Sequence, residues 1–443
     1  MTGRVPVNRA PTLNERVDSA DDPAAEGNTV DADGVVLVLG CGMQRYREYL
    51  LASAAARHRL WLFNPQPPDW QQPYLTGATQ VDVLDRDAVL AQARELAANR
   101  PVRGVLSWDE TLVVNTAHVA AALGLPGATV DGIEACRDKH RTRRLLTAAG
   151  LPQPRYGWAD DAEAAVTLAE HIGFPVVVKP RGMGASIGVA LALDAPQARA
   201  AFQIADEASR IGAVAYHGGA LVEEYLTGPE ISMDAAVVDG EYVPLFLARK
   251  QVGMHPYFEE LGHVVDPADP LREDPDLLRI LRAAHQVIGL RYGITHTELK
   301  LTDCGPVIVE INGRLGGDLI PLLGSLATGI DPGAAVVDVA LARRPQVDAT
   351  RHRVVGIRFG YPPADCRVDA VQVPAADEQA GILHAAVLVE PGTELRLPPG
   401  GYISRHSYVI CAGATAGECD DRLAAAAAAV RMRGQALTGT SAG

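Results

Sequence analysis

Lysine is scarce in this chain. Of 40 basic residues only Lys139, Lys179, Lys250 and Lys300 are lysines; the other 36 are arginines. Basic residues of either kind form no block, and the formal net charge is −14. That excludes nucleic acid as the main partner, because phosphate backbones are bound by clustered Lys and Arg. No apolar run reaches the length of a membrane span. The N-terminus lacks the basic segment and apolar core of a secretory signal. The six cysteines, Cys41, Cys136, Cys304, Cys366, Cys411 and Cys419, include no C-x-x-C pair. They read as reduced, mostly buried thiols of a cytoplasmic protein. A chain so biased to arginine is expected to keep lysine where a compact point charge is needed, and all four lie between residues 139 and 300.

What is present is an ordinary globular composition, 48% hydrophobic and 21% charged over 443 residues, enough for about three domains. Residues 1–33 lack an apolar period and are expected to form a disordered leader. GVVLVLGCG reads as a buried parallel strand entering a glycine turn. With the helix MQRYREYLLASAAARH, the strands RLWLFNP and RGVLSWDE and the helix TLVVNTAHVAAALGLP, it makes residues 34–130 a small Rossmann-like domain. Arg45 stands where a dinucleotide fingerprint has its third glycine, so the turn is expected to be structural. Residues 131–345 form a central domain with a lid over about 155–228. One helix is expected over DGIEACRDKHRTRRLLTAAG, stopped by Gly150 and Pro152. Residues 346–437 turn to short strands, Pro-Gly turns and an Ala-rich helix near 417–433, read as a separate α+β domain, and TGTSAG reads as a floppy tail.

The most informative stretch is THTELKLTDCGPVIVEINGRLGGDLIP, residues 295–321. THTELKLT and PVIVEIN alternate like strands, with a three-residue hairpin loop Asp303-Cys304-Gly305 between them. Pairing about Cys304 puts Glu298 opposite Glu310, Lys300 opposite Ile308 and His296 opposite Asn312. Glu298, Lys300, Glu310 and Asn312 then share one face. Facing carboxylates repel, so they want a shared proton or a cation. Oxygen ligands alone suit a hard cation such as Mg²⁺, which binds one or two carboxylates plus substrate phosphates. The alternative is a solvent-exposed strand face without function.

Two further segments point the same way. In VVVKPRGMGASIGV, Lys179 precedes a loop of Gly182, Gly184, Ser186 and Gly188 between two strands. Such a loop can bring backbone N–H groups to phosphate oxygens and close as a lid. In ALVEEYLTGPEISMD, backbone groups near residues 223–226 could read an adenine edge, and Glu230 could accept from ribose hydroxyls.

Taken in order, Lys139, Lys179 with its glycine loop, EEYLTGPE, Glu298 and EINGR, the chain resembles the ATP-grasp superfamily over about residues 34–340. The resemblance implies a mixed α/β and α+β fold: a Rossmann-like N-terminal domain, a lid, a central antiparallel sheet and a C-terminal α+β domain. It implies ATP held between two β-sheets and joining of a carboxylate to an amine through an acylphosphate. By that likeness Lys139 and Lys179 contact ATP, Ser186 and Gly184 belong to the phosphate loop, Glu223, Glu224 and Leu226 edge the adenine, and Glu230 meets the ribose. Glu298, Glu310 and Asn312 hold Mg²⁺, with Mn²⁺ able to substitute. Arg314, with Lys179, stabilises the transferring phosphoryl. YFEELGHVVDP, EINGRLGGDLIP and GYISRHSYVICAGATAGECDDRLAAAAAAV are similar to bacterial L-amino acid ligases of the alanine–anticapsin ligase type. That places Glu260 and His263 beside a bound amino acid, with Arg314, Gly316, Gly317 and Asp318 in the same pocket. Asp318 departs from the pattern and is expected to favour a basic or amine-bearing partner.

The expected partners are therefore a small amino acid or carboxylate and an amine, with no nucleic acid or membrane, and an assembly as a homodimer is compatible. Two rival readings are a bicarbonate-activating carboxylase on the same fold and a non-catalytic nucleotide-binding module.

Overall fold

The five residues of β1 (Val35–Leu39) are all buried, as a strand covered on both faces requires. They lie inside a parallel sheet. The chain continues through α1 (Gln44–Arg57), β2 (Leu60–Asn64), β3 (Gly77–Gln80), α2 (Arg86–Asn99), β4 (Val102–Leu106) and α3 (Val113–Leu123). The sheet order is β3-β2-β1-β4. Sequence reading passes over β3 because GATQ is short and carries no apolar alternation; it is only partly buried. The computed structural model describes residues 34–377 and 379–437; the expected leader and tail lie outside the described residues.

The single helix expected before Gly150 is two. α4 (Val130–Arg137) and α5 (Lys139–Ala148) part at Asp138, whose carboxylate accepts from the backbone N–H groups of His140 and Arg141. An N-cap of this kind starts a new helix. It gives α5 its own inward face: Lys139, Thr142, Arg143 and Leu146, spaced i, i+3, i+4 and i+7, are all buried.

Next comes a small layer of β5 (Tyr156–Ala159), α6 (Ala162–Ile172), β6 (Val176–Lys179), β7 (Ala190–Ala192), α7 (Ala195–Ser209) and β8 (Ala220–Glu224). Its antiparallel sheet runs β5-β8-β6-β7, packed on an alanine-rich core that includes Ala165, Ala169, Ala198 and Ala201.

The large sheet begins with β9 (Glu230–Val238), β10 (Glu241–Gly253) and β11 (Glu259–Val265). After α8 (Pro275–Ile288) come β12 (Gly293–Thr302) and β13 (Gly305–Asn312), then α9 (Ile320–Thr328) and α10 (Pro332–Ala340). The remainder comprises β14 (Val354–Gly360), β15 (Cys366–Gln372), β16 (Ile382–Val387), β17 (Glu394–Leu395), β18 (Ser407–Gly413), α11 (Ala416–Ala429) and β19 (Arg431–Ala436). The order β13-β12-β9-β10-β11-β14-β18-β16 makes one eight-stranded sheet, so strands from beyond residue 346 continue the same sheet. The expected terminal helix stops at Ala429, and the residues after it pair with β15. Among the described residues no single helix is long and apolar enough to cross a membrane; α9 and α10 pass only together, bent by 106°, and both are largely buried in the protein core.

Candidate active site

The β12–β13 hairpin carries the opposed carboxylates. Glu298 lies opposite Glu310 and His296 opposite Asn312. A bulge beyond Glu298 then shifts the register, so Lys300 faces Val307 rather than Ile308, and Thr302 pairs with Gly305 to leave a two-residue turn. The bulge has a local partner. Arg143 of α5 donates to the carbonyls of Ile308 at 3.1 Å and Val309 at 2.6 Å, satisfying carbonyls at the irregular step. The same guanidinium holds Glu223 of β8 at 2.7 and 3.3 Å. Arg143 thus ties the small sheet to the large one. The sequence clue was its spacing of four from Lys139 on one helix face.

All four lysines converge here. Lys139 contacts Glu310 at 2.8 Å, Lys179 contacts Glu223 at 2.7 Å, and Lys300 contacts Glu230 at 3.1 Å. Lys250, for which sequence reading had no role, lies among Glu230 at 2.8 Å, Glu260 at 2.7 Å and Glu298 at 3.1 Å. Burial favours a neutral amine, but three carboxylates outweigh it and hold the Lys250 pKa well above its usual value. Burial would likewise raise Glu223, yet Arg143 and Lys179 bring it down to about 2. For Glu298, burial is outweighed by Lys250 and His296, so it stays well below the usual carboxylate range. His296 itself is held from behind by Asp234, which also accepts from the backbone N–H of Gly316 at 2.9 Å.

Above these charges lies the loop between β6 and β7. Ala185 and Ser186 both adopt φ 55°, a left-handed conformation that non-glycine residues hold only under constraint. The glycines divide in purpose. A Cβ on Gly182 would meet the Tyr216 side chain at 2.5 Å and one on Gly188 the Ala208 Cβ at 2.4 Å, whereas Gly184 faces open space. Beneath the loop is a cavity of about 130 Å³ lined by Lys139, Lys179, Gly184, Ser186, Glu223, Glu224, Leu226, Glu230, Glu260, Glu298, Lys300 and Glu310, among others. Asn312 is buried two residues beyond Glu310 on the same strand.

A second cavity, of about 80 Å³, shares Ala185, Glu260 and Glu298 with the first and adds His263, Arg314, Gly317, Asp318 and Arg405. Glu260 Oε2 and His263 Nδ1 are buried there without a hydrogen-bond partner. Burial raises the Glu260 pKa, with Lys250 opposing. Arg314 pairs with Glu110, which also takes Arg137; burial alone would raise Glu110, but the Arg314 and Arg137 charges lower it to about 2. Gly316 sits against this wall, where an added Cβ would meet His296 at 2.8 Å. Asp318 is not a free acid at the mouth: both its oxygens are held by Arg405. Sequence reading missed Glu110, Arg143, Lys250 and Arg405. Among the described residues no group of three or more His, Cys, Asp or Glu is arranged to hold a metal by itself.

The ATP-grasp domain family model matches residues 172–321, which include the loop, the lysines from 179 to 300 and the hairpin. Those residues carry an ATP-grasp domain. The ATP-grasp N-terminal domain matches residues 61–127, and the L-amino acid ligase C-terminal domain 2 matches residues 358–434. The chain is 26% identical to the protein y4rH of Sinorhizobium fredii over 346 residues, 77% of this chain and 70% of that protein. It is 28% identical to alanine–anticapsin ligase of Bacillus subtilis over 276 residues, spanning 57% of each. In fold it is similar to the L-amino acid ligase from Bacillus licheniformis, with TM-score 0.73 and 19% identity, over 91% of this chain and 99% of that one.

Proposed function

We propose that this chain is an ATP-dependent carboxylate–amine ligase. It activates an amino acid and joins it to an amine, often a second amino acid, releasing ADP and phosphate. The observation that carries the reading is the junction of two cavities at Glu260 and Glu298. One is lined by lysines beneath a glycine loop. The other is lined by Arg314 and by Glu260, whose Oε2 has no hydrogen-bond partner, and an α-ammonium supplies the donors that oxygen lacks.

The residues present fit both ATP and Mg²⁺. Lys139 and Lys179 offer point charges to phosphate oxygens; Glu224, Leu226 and Glu230 line the same cavity, the first two to edge the adenine and Glu230 to accept from the ribose hydroxyls. Glu298, Glu310 and Asn312 are hard oxygen donors suited to Mg²⁺, with Mn²⁺ as substitute. A set this small is what Mg²⁺ uses when phosphates complete its shell. When bound, the metal supplies charge neutralisation at the phosphates. Lys139 beside Glu310 and Lys250 beside Glu298 add positive charge at the same carboxylates.

A carboxylate oxygen of the amino acid attacks the γ-phosphorus, and the bond to the bridging oxygen breaks, its electron pair leaving with ADP. The amine then attacks the acyl carbon, phosphate departs, and the new amide nitrogen loses a proton. Arg314 presents a fork of donors to charge spreading over the phosphoryl oxygens and then over the tetrahedral adduct. The loop over residues 182–188 excludes water, which would hydrolyse the acylphosphate. The division at 34–130, 131–345 and 346–437 and a homodimeric assembly belong to the same reading, as does a place in cytoplasmic dipeptide or antibiotic biosynthesis. A phosphate-release screen of amino acids, singly and in pairs, with hydroxylamine present, tests it. Amino-acid-dependent ADP formation with a trapped hydroxamate is expected; release driven by bicarbonate and by no amino acid would replace the reading with a carboxylase.

A further inference from the structure

The far wall of the amino-acid cavity is closed by an ion pair. Asp318 and Leu319 follow the Arg314 loop with φ 53° and 63°, and Arg405 comes from the segment before β18. Arg405 Nη1 donates to Asp318 Oδ1 and Nη2 to Oδ2, each at 2.7 Å. Its Nε donates to the Tyr361 hydroxyl at 2.8 Å, and Nη2 also reaches the Glu260 carbonyl at 3.2 Å. The guanidinium lies 3.8 Å from the centre of the Phe359 ring. The Arg405 side chain is only 4% exposed, and His263 Nε2 stands 3.4 Å from Asp318 Oδ2. The pair is bidentate, desolvated and held from several sides.

The ligase reading, on which this inference rests, sets the substrate's orientation. With its carboxylate at Arg314 and its ammonium at Glu260, an α-amino acid turns its side chain toward the remaining wall, formed by Gly317, Asp318, Ile320 and Arg405. We propose that the Asp318–Arg405 pair selects the activated amino acid, admitting a small uncharged side chain and rejecting acidic and basic ones. An acidic side chain has to compete with Asp318 for Arg405. A basic one has to compete with Arg405 for Asp318. Either contest leaves a buried charge without its partner, a heavily penalised outcome, whereas a small neutral side chain leaves the pair intact. Rejection through unpaired charge discriminates more sharply than a missing methylene does. Removing Asp318 alone turns the same wall into a site for an acidic side chain, because Arg405 then offers its planar fork.

The test uses the full chain with Mg²⁺ and a non-hydrolysable ATP analogue. Binding of L-alanine, L-serine, L-glutamate and L-lysine is read by calorimetry, and hydroxamate formation with ATP is read in parallel. The variants are Asp318→Gly, which suits the positive φ, Asp318→Asn, which keeps the shape, and Asp318→Gly with Arg405→Met. The wild type is expected to bind alanine or serine at least about tenfold more tightly than glutamate or lysine. Both single variants should raise glutamate relative to alanine at least about tenfold, and the double variant should lose that gain. Equal wild-type affinity for charged and neutral amino acids overturns the proposal, as does a glutamate-to-alanine ratio unmoved in both single variants, or no amino-acid binding at all. The expected binding pattern without any hydroxamate upholds the selective wall and refutes the ligase reading instead.

Discussion

The two adjoining cavities are built from the same kinds of charge, held in different ways. Under the glycine loop, Lys139 and Lys179 each touch a single carboxylate; Lys250, spread over three, lines the neighbouring cavity and touches Glu260 and Glu298 where the two meet. In the neighbouring cavity Arg405 grips Asp318 with two parallel bonds. An ammonium is a compact point charge that exchanges one oxygen for another; a guanidinium fork fixes a plane and a partner. The lysine-lined cavity is therefore suited to charges that arrive and leave with substrate, and the arginine-closed wall to a shape that persists. Of the four lysines among 40 basic residues, Lys139, Lys179 and Lys300 line the exchanging side, and Lys250 stands at its junction with the other.

The contrast can be broken by mutation. Glu298→Gln and Glu310→Gln should keep the fold by circular dichroism and lower turnover by at least about a hundredfold; near wild-type rates in both would remove the hairpin from the site. Arg314→Lys should cost turnover on a similar scale while the ATP Michaelis constant changes little, since a point charge cannot replace the fork in the transition state. A change confined to the Michaelis constant would contradict that role. Lys250→Met leaves Glu230, Glu260 and Glu298 crowded without their cation. It should destabilise the ligand-free protein by about 3–5 kcal/mol in denaturant titration, with part regained on adding Mg²⁺ and an ATP analogue. A lack of such rescue would mean that Lys250 is fixed structure like Arg405. Glu260→Ala should raise the amino-acid Michaelis constant about tenfold, the value of a charge-assisted contact, and leave that of ATP unchanged.

The smallest effect separates site charges from a structural one. His285 is buried, donates from Nδ1 to the Leu281 carbonyl and accepts at Nε2 from Thr295; burial lowers its pKa to about 4. The unfolded chain takes up a proton below about pH 6.5, while the folded one does not until about pH 4. Stability should therefore fall as pH drops through that window. His285→Gln should flatten this part of the melting profile; an unchanged slope would assign the loss to other groups.

The opposed glutamates are legible in the sequence because hairpin partners are close along the chain and a period of two fixes their face. The bulge is not, since it depends on Arg143, 165 and 166 residues before the carbonyls it holds. Asp138 looks like one more polar residue in a helical run until its side chain is seen capping α5. Arg405 meets Asp318 across 87 residues, and no local pattern pairs the two segments. Composition held one unused clue, since the rarity of lysine applied to Lys250 as much as to Lys179.

The central claim is that the amino-acid carboxylate and the nucleotide meet at the junction of the two cavities and exchange a phosphoryl group there. The direct measurement is turnover with an amino acid carrying ¹⁸O in its carboxylate, followed by mass analysis of the released phosphate. The acylphosphate route predicts one ¹⁸O transferred to each phosphate formed. Phosphate free of the label, with an amide still produced, would contradict it.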